Sequence, residues 1–266
     1  MNAATAPAGT ARHARVEHRR GWAEYLIEAW ALGMFMLSAS VVTTELESAG
    51  APLGQAIGNS RLRLALIGLA MGATAVGLIY SPWGKRSGAH MNPAVTLAFL
   101  TLGRMSYVEA LFYVLAQFAG GLLGVLGSWW LLGSRFALPP VSFIATVPGS
   151  AGTGVAFIAE LAISLVLMLA ILEVSNHRRC SQYSGLVAGL LIACYVTFES
   201  PLSGMSMNPA RTLASALPGR IWGGLWIYFT APCLGMWMAA RIFGARVPWS
   251  QRRHHSAKIV HTPDHP

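Results

Sequence analysis

Residues 87–99, SGAHMNPAVTLAF, recur 116 positions later as residues 203–215, SGMSMNPARTLAS. Nine of the thirteen aligned positions are identical. Each copy contains the tripeptide Asn-Pro-Ala, as Asn92-Pro93-Ala94 and as Asn208-Pro209-Ala210. An ungapped match of this length does not arise by chance, so the chain contains an internal repeat.

Each copy of the repeat predicts the start of a short helix. Asn is a strong N-cap, and Pro is favoured at the first helical position, where its missing N–H costs nothing. The first helix is expected to stop near Gly103 and the second near Pro218 and Gly219. With about ten residues at about 1.5 Å each, either helix spans roughly half the hydrocarbon core of a bilayer.

The composition is that of a membrane protein. Only 11% of the 266 residues are charged, against about 25% in a soluble domain, and the mean hydropathy is +0.51. Six apolar windows are long enough to span, at residues 22–44, 62–81, 106–132, 153–174, 184–198 and 221–243. The first is interpreted as a retained span and not as a signal peptide, because Glu24 and Glu28 interrupt it.

The basic residues predict the orientation of the chain. If both termini are cytoplasmic, fourteen of the nineteen basic residues face the cytoplasm, which satisfies the positive-inside rule. The net charge of +9 is thereby explained without a nucleic-acid partner. Binding to anionic lipid headgroups is the only partnership that this charge predicts. We therefore expect a multi-pass protein of the cell (plasma or inner) membrane.

The chain is expected to form one domain between two basic, disordered tails, residues 1–20 and 247–266. The channel domain, residues 21–246, divides into halves at about 21–135 and 150–246. Three spans separate the two Asn-Pro-Ala copies, so the copies enter the membrane from opposite faces. The predicted fold is an all-α membrane protein with six transmembrane helices and two re-entrant half-helices in an inverted repeat.

Two half-helices from opposite faces meet with their N-termini near the midplane. Asn92 and Asn208 cap these ends, and each side chain can still direct an amide N–H outward. The residues before each cap are non-helical at membrane depth, which is tolerated where carbonyl groups line a water-filled cavity. Such a pore suits a neutral solute that both donates and accepts hydrogen bonds. It opposes cations and interrupts proton relay through water.

The paired motif within six spans resembles the aquaporins, or major intrinsic proteins, over about residues 20–245. Arg211 directly follows the second Asn-Pro-Ala, as the family's selectivity-filter arginine does. The resemblance also implies a homotetramer with one pore in each subunit.

The resemblance assigns three more filter positions. By their spacing from Asn208, these are Met205 in the loop and Val196 in the fifth span. In the second span, Met71 takes the position if one extra residue lies between 81 and 86, and Gly72 takes it otherwise. The set lacks the aromatic residue and the His of the family's strict water channels, which predicts a wider and less polar constriction. Thr212, Ala216 and the pair Tyr228-Phe229 instead resemble the water-channel branch.

Two buried acids leave an alternative open. Glu28 and Glu160 lie in the first span of each half, where a proton-coupling pair would indicate a secondary transporter. We favour the interpretation that each carboxylate accepts hydrogen bonds from a half-helix loop. His90 is expected to line or brace the pore. Glu173 and Glu199, at span ends, are expected to need no special role.

No enzyme, cofactor or metal site is predicted, because no catalytic or metal-ligand cluster occurs. Cys180, Cys194 and Cys233 are interpreted as free thiols. The predicted function is a passive channel for water and small uncharged solutes that excludes protons and ions. A facilitator of glycerol or undissociated metalloid acids with little preference for water is the main alternative. A proton-coupled transporter is a distant one.

Overall fold

The computed structural model describes residues 21–246, so the expectations for the two tails lie outside the described residues. Within this range the chain is helical and contains no strand. In chain order the principal helices are α1 (Trp22–Glu47), α2 (Ser60–Tyr80), α3 (Pro93–Thr101), α4 (Tyr107–Leu132), α5 (Thr153–Asn176), α6 (Ser184–Phe198), α7 (Pro209–Gly219) and α8 (Leu225–Arg246). Short helices at Pro52–Ala56, Pro82–Ser87, Ser134–Ala137 and Ser200–Ser203 and 3₁₀ turns at Ser142–Ile144 and Ser181–Tyr183 connect them.

The six predicted spans correspond to α1, α2, α4, α5, α6 and α8. Five of them are long and apolar enough to cross a membrane, with the 3₁₀ turn Ser181–Tyr183 extending α6 to 18 residues. The sixth, α8, has 22 residues, which gives a length of about 33 Å. The half-helices α3 and α7 have 9 and 11 residues, so each reaches only about half-way across. The predicted fold class is confirmed.

Side-chain contacts give the directions of the long helices. Trp22 packs against Phe112 with ring centroids 5.5 Å apart, so α1 and α4 start at the same face. Phe157 stacks on Trp226 at 5.7 Å, so α5 and α8 also run in parallel. The Tyr80 hydroxyl donates to the Gln182 carbonyl at 2.5 Å, joining the end of α2 to the start of α6. We call the face where α1 begins and α8 ends the termini face, and the opposite one the far face.

Glycines allow the long helices to approach closely. A Cβ added at Gly72 in α2 would collide with the carbonyl oxygen of Gly189 in α6. A Cβ at Gly120 in α4 would collide with the backbone of Ala29 in α1. Backbones this close maximise van der Waals contact in lipid, where the hydrophobic effect does not drive association between helices. The α2–α6 pair and the α1–α4 pair are therefore tightly packed.

Each half-helix packs on a long helix of the other half of the chain. The half-helix α3 lies against α8, and α7 lies against α4. Arg104, just after α3, places its guanidinium 5.7 Å from the Phe99 ring centroid and 5.8 Å from that of Phe243 in α8. On the other side, Gly121 of α4 lies against Ala214 and the Ala210 carbonyl of α7. The two halves are therefore interlocked.

Candidate pore

The segments before α3 and α7 have the same unusual backbone. Gly88 and Gly204 have φ angles of 93° and 81°. Two further residues in each segment are left-handed, Ala89 and Met91 at 47° and 50°, and Met205 and Met207 at 48° and 53°. Such angles cost a non-glycine residue about 1 kcal/mol or more, so surrounding contacts must hold them. The inverted repeat is thus visible in the backbone as well as in the sequence.

Glu28 holds the first of these segments. Its side chain is fully buried, and it accepts hydrogen bonds from the backbone N–H groups of His90 at 3.0 Å and Met91 at 2.7 Å. The Ser87 hydroxyl donates to it at 2.8 Å, and the Gln117 amide at 2.9 Å. Four donors therefore converge on one carboxylate at membrane depth.

Glu160 holds the second segment in the same way. The N–H groups of Ser206 and Met207 donate to its carboxylate at 2.6 Å and 2.7 Å, and the Ser203 hydroxyl donates at 2.8 Å. The side chain is fully buried. Backbone N–H groups left unpaired at this depth cost several kcal/mol each, so both acids satisfy a structural need. In this geometry each carboxylate accepts hydrogen bonds from one half-helix loop, as the bracing interpretation of Glu28 and Glu160 expects.

The two Asn-Pro-Ala segments meet through reciprocal hydrogen bonds. The Asn92 amide nitrogen donates to the Met207 carbonyl at 2.7 Å, and that of Asn208 donates to the Met91 carbonyl at 2.7 Å. The side-chain oxygens cap their own helices, through the N–H groups of Ala94 at 2.8 Å and Ala210 at 3.0 Å. Each amide carries two hydrogens, so one remains on each Asn. The sequence predicted the caps but not the crossed bonds.

One cavity of about 350 Å³ runs past both Asn side chains. Towards the termini face its wall includes Ile79 and Ser184, and towards the far face it includes Thr43, Glu47 and Ser200. Residues of both left-handed segments contribute to the wall near the middle. Most of the remaining wall is apolar and includes Leu32, Phe35, Ile67, Ala75, Val95, Leu167, Ile171, Ala188 and Ile192. A continuous, mainly apolar passage with a few polar groups is the result.

The four predicted filter residues line this cavity. Met71, Val196, Met205 and Arg211 all contribute to its wall. Gly72 instead faces α6, where it packs against Gly189. Nη1 of Arg211 is buried and has no hydrogen-bond partner within the described residues.

His90 both lines the cavity and supports its wall. Its ring lies 3.1 Å from the Thr96 hydroxyl through Nδ1 and stacks on Phe99 with centroids 4.6 Å apart. In the second half, Ser206 and Thr212 are hydrogen-bonded at the equivalent positions. The His-for-Ser difference makes the two halves of the passage chemically unequal.

One tyrosine is hydrogen-bonded to the start of each re-entrant segment. The Tyr113 hydroxyl donates to the Ser87 carbonyl at 2.7 Å, and the Tyr228 hydroxyl donates to the Ser203 carbonyl at 2.6 Å. Both rings are fully buried. Tyr228 is one of the residues noted for its family resemblance, and its position gives that resemblance a physical reason.

An ion pair at the far mouth was not predicted. Arg63 at the start of α2 donates to both carboxylate oxygens of Glu47 at the end of α1, at 2.9 Å and 3.2 Å. Its third nitrogen donates to the Ile57 carbonyl at 3.0 Å. The opposite charges flank one short connection, which is the signal that could have predicted this pair. It fixes the connection beside the opening.

The comparison with protein families decides the identity of this arrangement. The model of the major intrinsic proteins matches residues 15–243. This range includes both re-entrant segments and the six long helices, except for the last three residues of α8. The chain belongs to the major intrinsic protein family. The predicted resemblance is confirmed, and the protein is a multi-pass membrane protein.

Individual relatives of this major intrinsic protein are plant aquaporins. Aquaporin NIP2-2 of Zea mays is 32% identical over 215 residues, which cover 80% of this chain and 71% of that relative. Probable aquaporin NIP-type of Nicotiana alata is 37% identical over 162 residues, covering 60% of this chain and 58% of that relative. This chain therefore matches little more than half the length of the second relative.

A solved structure shares the fold. The X-ray structure of the aquaglyceroporin from Plasmodium falciparum superimposes with a TM-score of 0.70 at 22% identity. The match covers 84% of this chain and 96% of that one. At this identity the likeness concerns the fold.

The remaining sequence predictions concern thiols and metals. Cys180, Cys194 and Cys233 are unpaired in the structure. Within residues 21–246, no group of three or more His, Cys, Asp or Glu side chains is arranged to hold a metal ion.

Proposed function

We propose that this major intrinsic protein is a passive channel for water and small uncharged solutes. The observation that carries the proposal is the cavity that passes the crossed Asn92 and Asn208 side chains. Its few polar groups can replace part of the hydration of a neutral solute, and the apolar wall offers no site that would hold one tightly. A channel needs this balance between entry and release. Under this proposal the protein is not an enzyme and uses no cofactor.

Charge selectivity follows from the positive groups along the passage. The N-terminal ends of α3 and α7 converge beside the Asn pair, and each carries a partial positive charge. Arg211 adds a full positive charge on the same wall. Cations are opposed by both, and a central water that accepts from the Asn pair cannot pass a proton along the file. Uncharged solutes are therefore the expected cargo.

We assign the selectivity filter to Met71, Val196, Met205 and Arg211. Three apolar side chains face one cationic donor, so a permeating water regains few of its lost hydrogen bonds there. A solute with both CH and OH groups can place its CH groups in contact with the apolar side chains, while its OH groups accept hydrogen bonds from Arg211. Glycerol and other small polyols, urea, and undissociated metalloid acids all fit this chemistry, as does water. The relatives' names, aquaporin and aquaglyceroporin, are compatible with such a range.

The assembly and its orientation are part of the same proposal. We assign the termini face to the cytoplasm because of the distribution of basic residues. The protein is expected to form a homotetramer in the cell (plasma or inner) membrane, with one pore in each subunit and anionic lipid headgroups near the cytoplasmic face.

Stopped-flow light scattering of proteoliposomes tests the function. We expect faster osmotic shrinkage than in protein-free liposomes, and faster reswelling when glycerol is the permeating solute. Val196→Trp places a large ring on the cavity wall and should return both rates towards background; gel filtration checks that it folds. Flux that saturates with solute and follows a proton gradient would instead indicate the secondary transporter.

A further inference from the structure

A buried carboxyl group behind the candidate filter has no part in the pore described so far. Glu199 follows α6 and precedes the short helix Ser200–Ser203. It is 8% exposed, and neither carboxyl oxygen has a hydrogen-bond partner among the described residues. A carboxylate buried without donors is strongly unfavourable, whereas the neutral acid is tolerated far better. The sequence interpretation that Glu199 needs no special role is therefore inconsistent with its burial.

The groups that face Glu199 come from two other helices and from its own segment. Glu160 of α5 and Tyr228 of α8 both interact with it electrostatically, and Ser203 lies beside it. Burial raises the pKa of Glu199 to about 7, an effect that the Ser203 hydroxyl opposes and the Glu160 charge enhances. Arg211, which interacts with Glu160 and Tyr228, is the positive charge in this group. Arg211 thus interacts with Glu160, and Glu199 is an additional acid in the group.

Ser203 links both acids to the filter backbone. Its hydroxyl donates to Glu160 at 2.8 Å and accepts from the Met205 N–H at 3.0 Å. A hydroxyl has one hydrogen, so it can donate to Glu160 or to Glu199 but not to both. The protonation state of Glu199 therefore affects the hydrogen bonds of Ser203, which hold the backbone of Met205.

The first half of the chain lacks this second acid. The position 116 residues before Glu199 is Trp83, which is 55% exposed and packs edge-on against Trp30 at 4.6 Å. The corresponding frame of Glu28 has four donors, one of them from Gln117, and Glu160 has three. Glu160 therefore has one donor fewer than Glu28, and it has a second acid, Glu199, beside it.

We infer that Glu199 is a positioning residue that makes the far half of the pore sensitive to pH. While Glu199 is neutral, Ser203 donates to Glu160 and the segment carrying Met205 is held in place. When Glu199 ionises, it competes for the Ser203 hydroxyl, so Glu160 loses one of its three donors and the segment loosens. Permeability falls as the pH rises through neutrality. The inference rests on the proposed channel function.

The pH profile of permeation is the first test. Native protein, Glu199→Gln and the control Glu173→Gln are compared in proteoliposomes with the same buffer on both sides. Glu173 is also a carboxyl at a span end, but it is exposed and pairs with Arg246 at the termini face. We expect glycerol flux through the native and control proteins to fall several-fold from acidic to alkaline pH. Flux through Glu199→Gln should stay at the acidic level throughout.

Infrared difference titration of the carboxyl group is the second test, and it does not depend on flux. The native protein should lose a protonated-carboxyl band near neutral pH that Glu199→Gln lacks. If the Gln variant fails to fold, Glu199→Asp keeps the acid and should shift the midpoint of both profiles. Flux that is independent of pH in the native protein, or equally dependent on it in the Gln variant, overturns the inference alone. Absence of any solute flux, with the infrared step intact, overturns the proposed function as well.

Discussion

At the scale of single residues, Val196 is proposed to set the width and polarity of the filter that it forms with Arg211. Val196→His should reduce glycerol flux more than water flux, because the larger ring narrows the passage and the steric penalty grows with solute size. Val196→Ile is the matched control, since it narrows the passage without adding a polar group. Stopped-flow rates for both solutes measure the ratio. An unchanged ratio in the His variant would mean that Val196 does not lie at the narrowest point.

Arg211 is predicted to be the electrostatic barrier beside the Asn pair. Arg211→Val should admit protons or small cations while the flux of neutral solutes persists, because a fixed charge in a narrow, poorly screened passage repels like charges strongly. Arg61→Val, which removes an exposed arginine in the first turn of α2, serves as the control. A pH-sensitive dye inside liposomes detects the leak. If the leak stays at the native level, the barrier lies wholly at the Asn pair.

Glu199 also predicts how stability depends on pH. Its pKa rises from 4.5 to about 7 on folding, so the folded state favours the neutral form. This contribution to stability is complete below pH 4.5, the ordinary value, and is lost as the pH rises to about 7. Thermal unfolding in detergent should therefore show Glu199→Gln gaining about 1–3 kcal/mol over the native protein between these limits. A constant difference across that range would contradict the linkage.

Residue roles were only partly predictable from the sequence. The position of Glu28 and Glu160 in the first span of each half, together with the family resemblance, was enough to suggest that they brace the loops, because buried N–H groups need acceptors. Spacing left Met71 and Gly72 open, since the choice depends on which side of α2 faces α6. The burial of Glu199 depends on how the helix Ser200–Ser203 packs against α5, and local sequence carries no sign of it.

At the scale of helices, Gly72 determines how closely α2 and α6 approach. Gly72→Ala should destabilise the protein, because the added methyl group meets the Gly189 carbonyl. Gly77→Ala on the same helix is the control: nothing lies within 4 Å of the added atom, so helix propensity should make it neutral or stabilising by up to about 1 kcal/mol. Thermal unfolding compares the two. Equal effects would show that α2 and α6 can separate at no cost.

The helices themselves were predicted well, for a physical reason. A span must be about 20 apolar residues long, and a half-helix must begin at a cap and stop half-way, so length and capping leave little freedom. The reciprocal bonds between the Asn92 and Asn208 segments were not predicted, because an N-cap fixes its own helix and says nothing of the opposite carbonyl. The pair of Glu47 and Arg63 was missed because each residue is an ordinary charge at a helix end.

At the scale of the whole molecule, we predict that both termini are cytoplasmic. A reporter enzyme that is active only in the cytoplasm should work when fused to either end, because six spans return the chain to its starting face. A fusion within the connection at residues 48–59, which joins α1 to α2 at the far face, should be inactive and serves as the control. An inactive fusion at both ends would mean that the positive-inside rule fails for this chain.

The interlocking of the two halves also affects biosynthesis. The half-helix α7 emerges from the ribosome after its support, α4, but α3 emerges long before α8. During synthesis α3 therefore lacks its main partner until the last span has been inserted, and until then Arg104 cannot contact the Phe243 ring. A nascent chain that stops short of α8 leaves the first re-entrant segment uncovered in the membrane. A chain truncated in its second half therefore lacks packing in its first half.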